Sequence, residues 1–343
     1  MKTKKTRSIV SLLLCVVMVL GLCACGNDTK TTTEAPNNGS QSAGTTAAPA
    51  PAKKTRVSLG TAGSSGAYFI IGSALANIIN EKSNVVEMTA EVTDGSAQNL
   101  TFLSQGDIQF GMCSISTLYE AYHGTGKYKD KAINLMAIGN LHPSVFQVVV
   151  LKDANIKTIK DMVGKKIVIG APGSGTRLNV NSILQCCGIS DSDINAFDLS
   201  IGESVSAMKD RNIDGAFIQN AVPTASLIEL ANDTPIDLIS FTDEEIKAIL
   251  AANPLWAEAT IPSSVYKTSG DIHTVGINNV MFCSPDVSEE VAYEVTKMIY
   301  ENLEALTLAH DSMSLVSLQM APIDSVPMHP GAIKFYKEKG LIQ

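Results

Sequence analysis

This 343-residue sequence has no basic cluster, no closely spaced cysteine pair of the C-x-x-C kind, no grouped histidines and no apolar run long enough to span a bilayer. Lys and Arg total 26 against 34 Asp and Glu. The first 24 residues hold four of the bases and none of the acids, so the rest carries 22 against 34, a net −12. An acidic chain without a basic stripe excludes nucleic-acid binding. It also excludes long-range capture of anions, so an anionic partner must be held by local dipoles. Seven cysteines are present, but Cys15 and Cys23 fall in the N-terminal apolar segment. Cys113, Cys186, Cys187 and Cys283 show no metal spacing. Cys186 and Cys187 adjoin on an expected helix, where neighbouring side chains diverge by about 100°, and read as packing residues. His123, His142, His273, His310 and His329 are scattered. No metal and no cofactor is expected.

What is present begins with an export pattern. Lys2, Lys4, Lys5 and Arg7 precede the apolar run Ile9 to Leu22, which is shorter than the roughly 20 residues of a spanning helix. Leu22-Cys23-Ala24-Cys25 then resembles a lipobox, in which cleavage after residue 24 leaves Cys25 as a lipidated first residue. An uncleaved anchor and a freely secreted product are the alternatives. Residues 25–54 are nearly all Thr, Ala, Pro, Asn, Gly, Ser and Gln. Such a composition cannot offset its ordering entropy by burial, so it reads as a disordered tether. The expected location is the outer face of the cell membrane, held there by lipid.

From Thr55 short apolar strands alternate with helices. Arg56 to Leu59 reads as a strand, Gly60 to Gly66 as a loop, and Ala67 to Asn80 as a helix with Tyr68, Ile71 and Leu75 on one face. Strands follow at Val86 to Val92 and Ile108 to Met112, with a helix opened by Asp94-Gly95-Ser96 and caps at Ser114 or Ser116. A second set starts near Phe146, with strands at Val148 to Leu151, Lys166 to Ile169 and Gly215 to Ile218. Helices are expected over Thr158 to Val163, Arg177 to Cys187 and Ser204 to Arg211. Thr242 with Glu245 fits a capping box. Thr274 to Phe282 reads as a strand, and one long helix from Ser284-Pro285-Asp286 to about His310 is expected to brace two bodies. Alternation of this kind implies an α/β fold with mainly parallel sheets flanked by helices.

Gly, Ser and Thr cluster where strands end and helices begin, which in an open sheet is where ligands bind. Helix starts expose free N–H groups and a positive dipole end. Gly170-Ala171-Pro172-Gly173-Ser174-Gly175-Thr176 is the richest such loop. It is no phosphate loop, because Gly175-Thr176-Arg177 lacks the lysine. Nor do Gly60, Gly63 and Gly66 match a dinucleotide fingerprint.

Seven segments in order, among them LGTAGSSGAY (59–68), SAQNL (96–100), GAPGSGTR (170–177) and ATIP (259–262), resemble the TAXI solute receptors of TRAP transporters. The other three are GDIQF (106–110), DGAF (214–217) and TVG (274–276). The resemblance runs from about Thr55 to the C-terminus. It implies a two-lobed periplasmic-binding-protein-like (type II) fold with the ligand cleft between lobes. The expected division is 1–24 signal, 25–54 tether, 55–145 with 274–343 as lobe 1, and 146–273 as lobe 2. It implies a glutamate-like amino acid or a dicarboxylate as ligand and a TRAP-type membrane permease as partner. The family pattern points to Thr61, Ser65, Tyr68, Ser96, Asn99, Ser114 (or Ser116), Ser174, Gly175, Thr176 and Gln219, with Asn220 beside them, as ligand contacts. The sequence departs from the pattern at Ser64-Ser65, Phe69 and Gln219, where relatives carry glycines or aromatics.

Arg177 is either a carboxylate ligand or the partner of a nearby acid. Two further readings stand beside the TAXI receptor. One is a receptor of the same shape serving an ATP-driven importer for a small anion. The other is an enzyme using Ser65 or Ser174, disfavoured because no Gly-x-Ser-x-Gly elbow or histidine base accompanies either serine.

Overall fold

The computed structural model describes residues 53–343; the export segment and Cys25 lie outside the described residues. The first half runs β1 (Thr55–Gly60), α1 (Ala67–Lys82), β2 (Val86–Glu91), α2 (Ser96–Gln105), β3 (Phe110–Ser114), α3 (Ile115–His123) and β4 (Met136–Leu151). Next come β5 (Lys166–Val168), α4 (Gly175–Cys186), β6 (Asn195–Phe197), α5 (Ile201–Lys209), β7 (Gly215–Asn220) and α6 (Ala225–Asp233). The chain continues through β8 (Ile236–Leu238), α7 (Asp243–Ala252), β9 (Trp256–Ile261), α8 (Ser263–Tyr266) and β10 (Ile272–Cys283). It ends with α9 (Glu289–Tyr300), α10 (Leu303–Ala309) and α11 (Pro330–Glu338).

The strands form one sheet in the order β2-β1-β3-β10-β4-β7-β5-β6, with β8 on β4 and β9 on β10. Parallel pairs occupy its two ends: β1 with β2 and β3, β5 with β6 and β7. The long strands β4 and β10 run antiparallel through its middle. β4 pairs with β10 over Met136 to Val145 and with β7 over Val145 to Val150. The lobe boundaries expected at 145/146 and 273/274 thus fall inside these two strands.

The first half of β4 is absent from the sequence reading because Gly139, Asn140 and Pro143 look like breakers. Pro143 sits opposite Asn278 beside a register shift, a place where a strand tolerates a missing N–H. Gly139 is flanked by hydroxyls: Tyr336 donates to Ile138 O at 2.8 Å and Tyr300 to Asn140 O at 2.6 Å. A Cβ at Gly139 would collide with both phenols.

The expected long C-terminal helix is two helices. α9 starts four residues later than anticipated, where Ser288 Oγ accepts from Val291 N at 3.3 Å. It stops at Glu301, and Asn302 bends its amide back to Met298 O at 2.9 Å. An Asn side chain that bonds the backbone competes with helix continuation. α9 packs with α11 and α1 over β2 and β4, so it braces no second body. One apolar core joins α1, α9 and α11 to β1–β3, with Leu59, Ile79, Val295 and Phe335 fully buried. On the other side Phe146, Val180, Ile183 and Phe282 anchor a core with α2, α3, α4 and α7.

Candidate functional site

Loops at the carboxyl ends of β1, β2, β5, β6 and β7 surround a cavity of about 600 Å³. The first turns of α1, α2, α4 and α5 border it. By helix geometry each first turn carries N–H groups without intrahelical acceptors. Two of those turns are held in place by side-chain caps. Ser174 Oγ accepts from Arg177 N at 3.1 Å and donates to Ala171 O at 2.8 Å. Ser200 and Glu203 form a capping box, with the Glu203 carboxylate accepting from Ser200 N at 2.8 Å. That amide, followed by the Ser200 hydroxyl, holds the Glu203 carboxyl below its usual range.

The structure brings Ser65, Tyr68, Ser96, Ser174, Gly175, Thr176 and Gln219 together in the cavity wall, with Asn220 beside them. Thr61, Asn99 and Ser114 stand behind it. Thr61 Oγ1 donates to Glu91 O at 2.6 Å, tying β1 to β2. The fully buried Asn99 amide donates to Gly60 O at 3.1 Å and to Thr61 O and Met112 O at 2.8 Å, and so fixes the ends of β1 and β3. Ser114 N donates to Ser96 Oγ at 3.2 Å and its hydroxyl pairs with Thr117 Oγ1 at 2.7 Å. These three residues shape the loops rather than face the space. Arg177 points elsewhere: its guanidinium reaches Asp198 at 2.9 Å, Asp191 at 3.7 Å and Asn181 at 3.2 Å.

Sequence reasoning missed the first turn of α5, where Leu199 to Ser204 form one wall. The Ser200-x-x-Glu203 spacing is a readable helix start that places α5 three residues earlier than expected. Asp94 and Ser144 also line the cavity.

The hydrogen-bond directions in the wall can be assigned. Asn279 Nδ2 donates to the carbonyl of His142 at 2.8 Å and to Ser144 Oγ at 2.7 Å. A carbonyl can only accept, so Asn279 Oδ1 is the atom that faces Tyr68 and takes its hydroxyl proton at 2.5 Å. Tyr68 therefore offers the cavity an acceptor, and burial pushes its pKa well above the ordinary phenol value. Ser144 Oγ accepts from Asn279 and Ser96 Oγ from Ser114, which frees both O–H groups to donate. Gln219 Oε1 accepts from Asn179 at 2.8 Å, leaving its NH₂ as a donor. No Lys, Arg or His lines the wall, while Asp94 and Glu203 do. Among the described residues, no group of three or more His, Cys, Asp or Glu could hold a metal ion.

Residues 59–340 match the model of the NMT1-like family. That match overturns the expectation of a TAXI receptor of a TRAP transporter. Among solved structures, the chain is similar to PhnD1 from Prochlorococcus marinus (MIT 9301) in complex with methylphosphonate. The identity is 12%, the alignment covers 84% of this chain and 99% of that one, and the TM-score is 0.52. A protein of Bordetella bronchiseptica RB50 is 18% identical over 84% of this chain and 90% of its own, with a TM-score of 0.52. The alkanesulfonate-binding protein SsuA from Xanthomonas axonopodis pv. citri, bound to MOPS, gives 14%, 85% and 96%, and a TM-score of 0.47. At such identities the likeness establishes the fold: an α/β periplasmic-binding-protein-like architecture of type II.

Proposed function

The chain belongs to the NMT1-like family, and from that premise we propose that it is an extracytoplasmic solute-binding protein. It serves an ATP-driven importer, taking up a small organic anion or an amino acid and presenting it to the membrane permease. The observation that carries this reading is the cavity itself, enclosed by helix starts and walled by hydroxyls, amides and backbone N–H groups. Its volume of about 600 Å³ suits a small molecule. Fixed dipoles of this kind favour an acidic group without a dedicated cation. PhnD1, of like fold, holds methylphosphonate, a small anion of that class. With the TRAP receptor set aside, the ATP-driven importer is the alternative that the sequence reading left standing. Residues 55–145 with 274–343 form one lobe and 146–273 the other, joined by β4 and β10, and a bound solute stabilises the closed form further. Cys25 carries the lipid that keeps the receptor at the membrane. Binding rather than catalysis is the role, since the wall holds serines with no imidazole beside them.

The test is a melting-temperature screen of the mature protein, refolded from denaturant to remove any co-purified solute. The panel is phosphonates, sulfonates, carboxylates and amino acids. A solute at 100 times its dissociation constant adds about 2.7 kcal/mol, several degrees at this size. Stabilisation by one chemical class supports the proposal; a flat response across all four, or steady conversion of a bound solute, rejects it.

A further inference from the structure

We propose that the Gly173 carbonyl is a latch across the cavity, positioning its two walls against each other before any solute arrives. The amides of Ala97 and Gln98, in the first turn of α2, both donate to Gly173 O at 3.1 Å. The donors follow β2; the acceptor belongs to the loop between β5 and α4. The start of α2 is thus capped by a peptide group from the facing wall.

Glycine is required here by space and not by backbone conformation. In the same loop Gly170 has φ +103°, a region that favours glycine, whereas Gly173 has no positive φ. A Cβ on Gly173 would stand 2.9 Å from Asp94 Cβ and 3.1 Å from Gln98 Cβ. Asp94 and Gln98 are themselves tied together, since Asp94 N donates to Gln98 Oε1 at 2.7 Å. Gly175 repeats the argument two residues on, where an added Cβ would lie 2.8 Å from Ser96 Oγ. Two glycines with ordinary φ therefore let the 170–176 loop seat on the start of α2.

This rests on reading the cavity as a solute site closed between two walls, but its test uses no solute. Helix geometry leaves Ala97 and Gln98, the second and third residues of α2, without intrahelical acceptors, so unlatched they exchange hydrogen like free peptide. Amide exchange is measured on the mature protein, refolded from denaturant with nothing added. We expect the two amides to exchange at least tenfold more slowly than free peptide, and Gly173→Ala to abolish that protection while enlarging the radius of gyration in solution scattering. Gly270→Ala, at a position with nothing within 4 Å, controls for loss of a glycine and should match wild type. Free-peptide exchange in the wild type overturns the latch even if Gly173→Ala does not fold, as does equal protection in wild type and variant. A failed latch leaves the solute screen standing, and a screen without hits leaves the exchange result intact.

Discussion

His142 is fully buried on β4, and neither ring nitrogen has a hydrogen-bond partner among the described residues. The Tyr68 ring meets it edge-on at 5.8 Å and the His310 ring lies 6.4 Å away. Burial, with a smaller push from His310, lowers its pKa from 6.5 to about 3. The unfolded chain therefore takes up a proton first as the pH falls, and stability is lost between the unfolded and folded values. From pH 7.5 to pH 5 this one residue costs roughly 2 kcal/mol. Urea unfolding at the two pH values should show that loss in the wild type and a loss smaller by about that amount in His142→Leu. His310 and His329, also lowered chiefly by burial, supply part of what remains. A second residue-scale outcome concerns Tyr68→Phe. It leaves the buried Asn279 Oδ1 without its donor, which should cost about 1–3 kcal/mol in the same assay.

At the scale of elements, two capping boxes separate stability from binding. Ser200 caps α5 at the cavity and Thr242 caps α7 away from it, each accepting from the third helical residue at 3.3 and 3.2 Å. Loss of such a cap costs about 1 kcal/mol. Ser200→Ala and Thr242→Ala should lower the urea midpoint alike, but only Ser200→Ala should also weaken calorimetric affinity for the solute that the screen identifies. Equal affinities in both variants would detach α5 from the site. The same elements show what was legible beforehand. Thr242-x-x-Glu245 announces its helix because the signal is local. The Gly170 to Thr176 loop could be placed at the cavity because glycine and hydroxyl residues at a helix start have a local meaning too. The family pattern points to Asn99 and Thr61 as ligand contacts, but a polar residue at a strand end or in a first helical turn does not announce which way its side chain faces. Only the tertiary pairing reveals that Asn99 spends its amide on three carbonyls of neighbouring strands. Gly139 and Pro143 masked half of β4 for the same reason, since the tyrosines that flank Gly139 lie more than 150 positions along the chain.

For the whole molecule, the sheet runs unbroken from β2 to β6 through β10 and β4. The lone tryptophan, Trp256, stacks on Phe146 of β4 with ring centroids 5.0 Å apart. A shared sheet predicts that the proposed lobes unfold together. Trp256 fluorescence and far-ultraviolet circular dichroism should trace one urea transition with the same midpoint. Separated midpoints would show that the lobes part as independent units. The alternating strands and helices made this architecture legible in outline, while the antiparallel centre depended on two strands whose partners are remote in sequence.

The carboxylates of Asp94 and Glu203 stand in a wall with no ammonium, guanidinium or imidazole to balance them, on a chain whose formal charge is −8. An approaching anion is therefore repelled until it comes within reach of the helix starts. Mobile counter-ions shorten the range of that repulsion to about 8 Å at physiological ionic strength. Entry of a negatively charged solute should accordingly quicken as sodium chloride is added, the reverse of the behaviour of receptors that draw anions in with lysines, and stopped-flow traces would register it as a rising association rate.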